Sequence, residues 1–291
     1  MNQVLKNKTA IITGASQGLG SHIAHCFVAA GANVMLCARD VNALQKLTNE
    51  LRAHSTPDQK IVFHACDITH EKTPNELVAA TLKQMGSLHV LVNNAGIWGP
   101  KGEVEENDWS EWVYTVQINL LASVMMCREV LPTMKQQGYG KIIQLSGGGA
   151  TKPMPRTSAY AATKAAIVRF AETLAEEVRG SGIDVNSIAP GAMNTRMLDE
   201  MLAAGPEKLG EAHYANLLKQ QQSGGDSPED AADLAVFLAS AAGDGITAKL
   251  ISAKWDNWRD FPAHSDELNK SDVYTLRRIA GRERDMSWGD K

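Results

Sequence analysis

The chain has 291 residues, 44% of them hydrophobic, and 29 Lys+Arg against 33 Asp+Glu leave a net charge of −4. That length suffices for a large buried core. The near-neutral balance offers no bulk attraction to nucleic acid or to a membrane surface, so neither is expected as a partner. Residues 1–8 carry no long apolar stretch, and no uncharged apolar run reaches the ~18 residues that would span a bilayer. No cleaved secretory signal is therefore expected. Cys26, Cys37, Cys66 and Cys127 stand apart in sequence, without a C-x-x-C pair or a histidine at finger spacing. A disulfide framework or zinc site is not expected, and a reduced, cytoplasmic setting fits.

Residues 9–13 read as a buried strand, followed by a glycine turn and a helix over 19–30. A second strand covers 33–37, and a helix over 41–52 has Val41, Leu44, Leu47 and Leu51 on one face. The third strand, 61–66, precedes a helix that Pro74 opens and that runs to about Met85. Residues 88–92 and 141–145 are further strands, separated by a long helical stretch over 109–134. A helix over 158–178 leads to a strand at 183–188. Residues 193–222 are a helical insertion in which Met193, Met197 and Met201 recur every fourth position, as suits a mobile lid over a pocket or ordinary packing. A helix over 229–241 and a strand over 249–253 follow.

Strands that are almost continuously apolar, each separated by a helix, predict a parallel sheet covered on both faces. Right-handed crossovers make it a doubly wound α/β sheet of the Rossmann, dinucleotide-binding type. Residues 1–254 form one dinucleotide-binding and catalytic unit, and 255–291 a charged extension punctuated by tryptophan.

The turn Thr13-Gly14-Ala15-Ser16-Gln17-Gly18-Leu19-Gly20 follows a strand and opens a helix. Gly14 permits the tight turn, Gly18 lets backbone N–H groups approach a pyrophosphate, and Gly20 lets helix and sheet pack closely. Ser16, Gln17 and Leu19 complete the candidate cofactor turn. The second strand ends Cys37-Ala38-Arg39-Asp40, where an acid would hold the ribose hydroxyls of NAD. Ala38 takes that position and Arg39 follows, a guanidinium suited to a 2′-phosphate. NADP is favoured over NAD, which Asp40 keeps open.

Tyr160 and Lys164 stand one turn apart on a helix face. A phenol of pKa ~10 is a poor acid at neutral pH. A neighbouring ammonium stabilises the phenolate and is expected to draw the pKa toward the working range. Such a pair protonates a carbonyl oxygen as hydride arrives, or deprotonates an alcohol in reverse.

From residue 5 to about 253 the sequence resembles the short-chain dehydrogenase/reductase family. The resemblance implies that Thr13-Gly14-x-x-x-Gly18-x-Gly20 is the cofactor turn and that Asp67, with Ile68 beside it, meets the adenine. It implies that Asn93-Asn94-Ala95-Gly96 steadies the sheet and borders the cofactor. Asn119 matches the helix asparagine whose kinked backbone holds a water leading to the lysine. Tyr160 and Lys164 match the acid/base and its partner, which also binds the nicotinamide ribose. Pro190, Gly191 and Thr195 match the loop that holds the carboxamide. A homodimer or homotetramer built partly on the helices near Trp112 and Tyr160 is implied as well.

Two departures stand out. The family's substrate-orienting serine lies 13 residues before the tyrosine, and 160 − 13 is Gly147. Ser146 is one position earlier, and the glycines that follow let its hydroxyl shift toward the carbonyl; Thr151, Thr157 and Ser158 are weaker substitutes. The usual terminal Asp-Gly-Gly run is replaced by Ile251-Ser252-Ala253-Lys254-Trp255-Asp256-Asn257-Trp258. Trp255 and Trp258 either wall the substrate or pin the tail. Arg277, Arg278, Arg282 and Arg284 read as a solvated surface or as an anion clamp. The eight histidines lack ligand spacing, and no metal is implied. The sequence reads as an NADP(H)-preferring oxidoreductase that interconverts a ketone and a secondary alcohol. NAD-dependent alcohol or sugar oxidation is the second reading, and a cofactor-binding regulator without turnover the third.

Overall fold

The computed structural model describes residues 3–286 and Trp288. Seven strands lie side by side: β1 (Thr9–Thr13), β2 (Asn33–Ala38), β3 (Ile61–Ala65), β4 (Val90–Asn93), β5 (Gly140–Leu145), β6 (Ile183–Ala189) and β7 (Leu250–Ser252). All neighbours are parallel, in the order β3-β2-β1-β4-β5-β6-β7. The helices are α1 (Gly18–Ala29), α2 (Val41–Ala53), α3 (Thr73–Met85), α4 (Trp109–Val116), α5 (Ala122–Gln137), α6 (Ser158–Glu177), α7 (Arg196–Leu209), α8 (Glu211–Ser223), α9 (Pro228–Ala239) and α10 (Ser265–Lys270).

Alternation along the strands divides the core. Ile12 and Leu36 face one side with Phe27 of α1 and Leu234 of α9. Ile11 and Met35 face the other with Leu77 of α3, Met126 of α5 and Leu174 of α6. Both faces are covered, as the apolar runs require, and the sheet is the doubly wound one. The strand order reverses between β1 and β4, which opens a crevice at the carboxyl ends of the strands.

Three local expectations need correction. Val41 is 53% exposed, because the first turn of α2 borders the crevice, which Asp40 and Ala43 line, rather than the sheet. His89 precedes β4; its Nδ1 accepts the Thr9 N–H at 3.0 Å. The long helical stretch is interrupted by a π turn at Gln117–Leu121, where the Ala122 N–H bonds to the Gln117 carbonyl five residues back.

α7 and α8 form a small cluster of their own, with Leu198, Met201, Leu209 and Leu217 buried and Trp98 packed against them. Past β7 the two tryptophans part ways. Trp258 is buried, 5.2 Å from the Phe237 ring, and its Nε1 donates to the Ala253 carbonyl at 3.3 Å. Trp255 is exposed at the mouth of the crevice. The extension then returns along β7: Leu250 N donates to the Tyr274 carbonyl at 2.7 Å, and Lys249 Nζ to the carbonyls of Ser271 and Val273 at 3.0 Å. The anion-clamp alternative for the tail is overturned. Arg277 pairs with Asp272 and Glu283, and none of Arg277, Arg278, Arg282 and Arg284 lines the crevice. Ser287 and residues 289–291 of the extension lie outside the described residues. Among the described residues no helix is long and apolar enough to cross a membrane.

Candidate active site

The crevice is a cavity of about 1070 Å³ that runs from the glycine turn to the α7–α8 pair. Gly14 has φ +63°, and a β-carbon there would stand 2.8 Å from Ala95 Cα. One at Gly20 would meet the Gly14 carbonyl at 2.4 Å, so turn and helix can meet only without side chains at these two positions. Asn94 fixes the turn from the neighbouring strand end: its Nδ2 donates to the carbonyls of Thr13 (3.0 Å) and Gly14 (3.1 Å). The N–H groups of Asn94 and Ala95 both donate to Thr13 Oγ1, at 3.1 and 3.2 Å. Gln17 caps α1 without a side-chain bond, and no acid lies in the first turn. The helix thus presents N–H groups and positive dipole to the cavity, which fits an anionic pyrophosphate. Ser16, Gln17, Gly18 and Leu19 all line it.

At one end the cavity is walled by Ala38, Arg39, Asp40, Asp67 and Ile68. Asp40 Oδ1 accepts from Ala43 N at 3.0 Å as the cap of α2. Exposed Arg39 donates to Tyr114 Oη at 3.2 Å. Burial works against ionisation of Asp67, but its bonds from the Thr69 N–H and hydroxyl and the Arg39 charge hold it below the usual carboxylate range. The site thus fits a nicotinamide dinucleotide. Helix N–H groups face the place for phosphate, and the carboxylates of Asp40 and Asp67 stand beside the crevice with the Arg39 guanidinium.

At the other end α6 brings Tyr160 and Lys164 together, both buried. Lys164 Nζ donates to the Leu145 carbonyl at 2.7 Å and lies 5.6 Å from the Tyr160 ring centre. Asn119, at the centre of the π turn, exchanges two 2.9 Å bonds with Ile97: Oδ1 accepts from its N–H and Nδ2 donates to its carbonyl. The same Nδ2 donates to Thr163 Oγ1 at 3.1 Å, which ties the turn to α6. A β-carbon at Gly96 would stand 3.3 Å from Asn119 Oδ1 and 3.4 Å from Lys164 Nζ, so Gly96 forms the wall between them.

The electrostatics differ from the sequence expectation. Burial pushes Tyr160 up to about 12 and Lys164 down to about 8, each toward its neutral form. The ammonium is aimed at a carbonyl rather than at the phenol, so desolvation outweighs its pull on the tyrosine.

Ser146 lines the cavity beside Gly147 and Gly148, and its hydroxyl donates to the Lys164 carbonyl at 3.2 Å. It is Gly147 that faces the tyrosine, 2.6 Å separating Oη from the place of a β-carbon there.

Pro190, Gly191 and Thr195 border the cavity on the far side, with Thr195 Cβ 3.9 Å from the place of a β-carbon at Gly18. Ala192 N donates to Asp226 Oδ2 at 2.7 Å, and Asp226 pairs with Lys254. Met193, Met197 and Met201 all reach the cavity, and Met201 is fully buried.

Sequence reasoning missed three participants. Trp98 lies 4.0 Å from Tyr160 between ring centres, and its Nε1 donates to the Met197 carbonyl at 2.9 Å. Its place two residues past Gly96 was a usable signal. Asp226 and Lys254 anchor the 190–195 loop from distant segments, and no local pattern marks them. The supposedly solitary cysteines include one pair, Cys37 and Cys66, whose sulfurs are 3.2 Å apart. Among the described residues no cluster suited to a metal ion occurs.

Comparison with known proteins bears on this geometry. A family model described as short chain dehydrogenase matches residues 8–204. Curated relatives include a short chain dehydrogenase of Pseudocercospora fijiensis, 35% identical over 66% of this chain and 62% of that protein. An L-fucose dehydrogenase of Oryctolagus cuniculus is 32% identical over 81% of this chain and 80% of its own length. A D-beta-hydroxybutyrate dehydrogenase of Rhizobium meliloti is 31% identical over 84% of this chain and 96% of its own. Among solved structures, an actinorhodin polyketide ketoreductase variant with NADPH superposes with a TM-score of 0.77 at 25% identity, over 87% of this chain and 97% of that one. With a matching family model over most of its length and a shared fold, the chain belongs to the short-chain dehydrogenase/reductase family of oxidoreductases.

Proposed function

We propose that the protein is an NADP(H)-preferring enzyme that interconverts a ketone and a secondary alcohol. The convergence of Tyr160, Lys164 and Asn119 in the cavity that also holds the glycine turn carries this reading. When bound, the nicotinamide supplies or accepts the hydride. Tyr160 Oη gives the substrate oxygen its proton in reduction and takes it back in oxidation. Burial pushes the Tyr160 phenol up to about 12, so in the cofactor-free protein it holds its proton at neutral pH. Asn119 holds the π turn open beside Lys164 and sustains the proton path. Ser146, which lines the same cavity, orients the substrate oxygen while Tyr160 supplies the proton.

The preference for NADP(H) is supported by Arg39 on the rim and by Asp40, whose carboxylate caps α2. The NADPH of the superposed ketoreductase agrees with it. NAD is the second choice. The carbonyl substrate is a small molecule that enters beneath residues 193–222, which act as a lid. Residues 1–254 are the catalytic unit and 255–291 its pinned extension. A homodimer or homotetramer is supported by α4, where Trp109 is 71% exposed and stacked on Trp112, and a cytoplasmic location by the free cysteines.

The experiment is NADPH consumption, followed by absorbance, over a panel of ketones. Turnover that Tyr160→Phe lowers by about 10²-fold or more supports the reading. NADPH binding without oxidation against any ketone overturns it in favour of a cofactor-binding regulator.

A further inference from the structure

Cys37 and Cys66 meet because of strand register. Cys37 pairs with His64 across β2 and β3, and Cys66 follows His64 by two residues, so both side chains leave the same face of the sheet. Their sulfurs are 3.2 Å apart. Both residues line the cavity, near Asp67 and Ile68; Cys37 is fully buried and Cys66 half-buried. The Cys37 thiol donates to Cys66 and holds it below the usual thiol range. The same contact, with burial, pushes Cys37 well above that range. The less buried sulfur, that of Cys66, is thus the more readily ionised, and Cys37 stays a thiol. When protonated, Cys66 has the His64 carbonyl as its own acceptor, at 3.6 Å. Cys127 is different: it is enclosed, accepts from Gln144 and Asn93, and burial pushes it up to about 12.

We propose that Cys37 and Cys66 are a reversible dithiol site that a hydroperoxide converts to a disulfide, and that this lowers the affinity of the cavity for the dinucleotide. The Cys66 thiolate attacks the peroxide; an S–O bond forms, the O–O bond breaks, and the departing oxygen takes a proton. Cys37 sulfur then attacks Cys66 Sγ; the S–S bond forms, the S–O bond breaks, and hydroxide leaves with the Cys37 proton as water. Two thiols are oxidised by two electrons, and the peroxide is reduced.

Closure draws the sulfurs from 3.2 Å to about 2.05 Å, which pulls the end of β3 toward the end of β2. The segments that move carry Arg39 and Asp67, two and one residues further on, at the end of the cavity assigned to the adenosine. Tyr160 and Lys164 stand on α6, outside both segments. This part rests on the cofactor reading, and the expected effect falls on dinucleotide affinity, not on turnover at saturation.

The full-length protein is treated with hydrogen peroxide, then followed by intact mass, peptide mapping and NADPH titration. Expected are a mass loss of two hydrogen atoms, a cross-link between the Cys37 and Cys66 peptides and an NADPH Kd raised by about tenfold, all reversed by dithiothreitol. Cys66→Ser, at the half-buried position, abolishes the cross-link and leaves Kd insensitive to peroxide; Cys37→Ala serves as a second variant with the same outcome. A Cys66 sulfinic acid without cross-link, a bridge to another cysteine, or a bridged protein with unchanged Kd overturns the proposal. If the reduced protein binds no dinucleotide, the cofactor reading and the affinity claim fall together, and the mass readout distinguishes that from failure of the dithiol.

Discussion

The Tyr160 hydroxyl stands 2.6 Å from the point that a β-carbon at Gly147 would occupy. The backbone at Gly147 is extended, with φ 176°, so an alanine is tolerated by the main chain and only the tyrosine must yield. Gly147→Ala is expected to displace Oη and lower kcat by about 10²-fold, because misplacement of a catalytic group by an ångström has that effect. Steady-state kinetics on a folded variant checks it. An unchanged kcat would show that the proton donor does not need this space.

Lys164 gives a pH-dependent stability signature. Its folded-state value, about 8, lies below the ordinary 10.5, so between these values the unfolded chain holds more protons on this group. The stability that Lys164 contributes therefore rises with pH across that window. Tyr160 acts in the opposite sense only from pH 10 to about 12. Lys164→Met should be more stable relative to the parent at about pH 7 than at about pH 10, by about 2 kcal/mol. Urea unfolding at the two pH values measures the difference, and a gap independent of pH contradicts the buried-ammonium account.

Arg39 is exposed on the rim, bonded to Tyr114, and Asp40 beside it spends one carboxylate oxygen on the cap of α2. Arg39→Asp should weaken NADPH binding by about 10- to 100-fold, the range for a lost charge-assisted bond. NADH binding should hold or improve. Titration with both dinucleotides tests this, and equal loss for the two would remove the assignment of a 2′-phosphate contact.

Trp98 links the tyrosine to the lid through two separable contacts, its ring on Tyr160 and its Nε1 bond to Met197. Trp98→Phe keeps the first and removes the second. A lost neutral hydrogen bond of about 1 kcal/mol predicts a KM rise of about fivefold with kcat nearly unchanged. Trp98→Ala should reduce kcat as well. If both variants change kcat equally, the bond to Met197 has no separate role.

Sheet and glycine turn were legible because both rest on local patterns: apolar runs at strand length, and small residues where strand becomes helix. Tyr160 and Lys164 were singled out by one-turn spacing together with the glycine turn and strands that precede them. What escaped depended on contacts between distant segments. Periodicity over 109–134 reads through the kink at Asn119, which only the family resemblance implied; Ile97, 22 residues away, holds it. The contact of Ser146 with the Lys164 carbonyl was not legible, because it arises only when α6 packs beside β5. The tyrosine's direction of shift was misjudged for a related reason. Spacing places the lysine nearby but does not reveal that it points at Leu145.

The return of residues 271–274 alongside β7 has a further meaning. A bare outer strand is a template on which another molecule can add its own backbone. Here Leu250 is already bonded to Tyr274, and Lys249 clasps two carbonyls of the returning segment. A protein shortened after Lys254 would lose this cover and should precipitate or self-associate through the uncapped margin. Residues 271–274 would on this expectation act as a cover for the outer margin of the sheet.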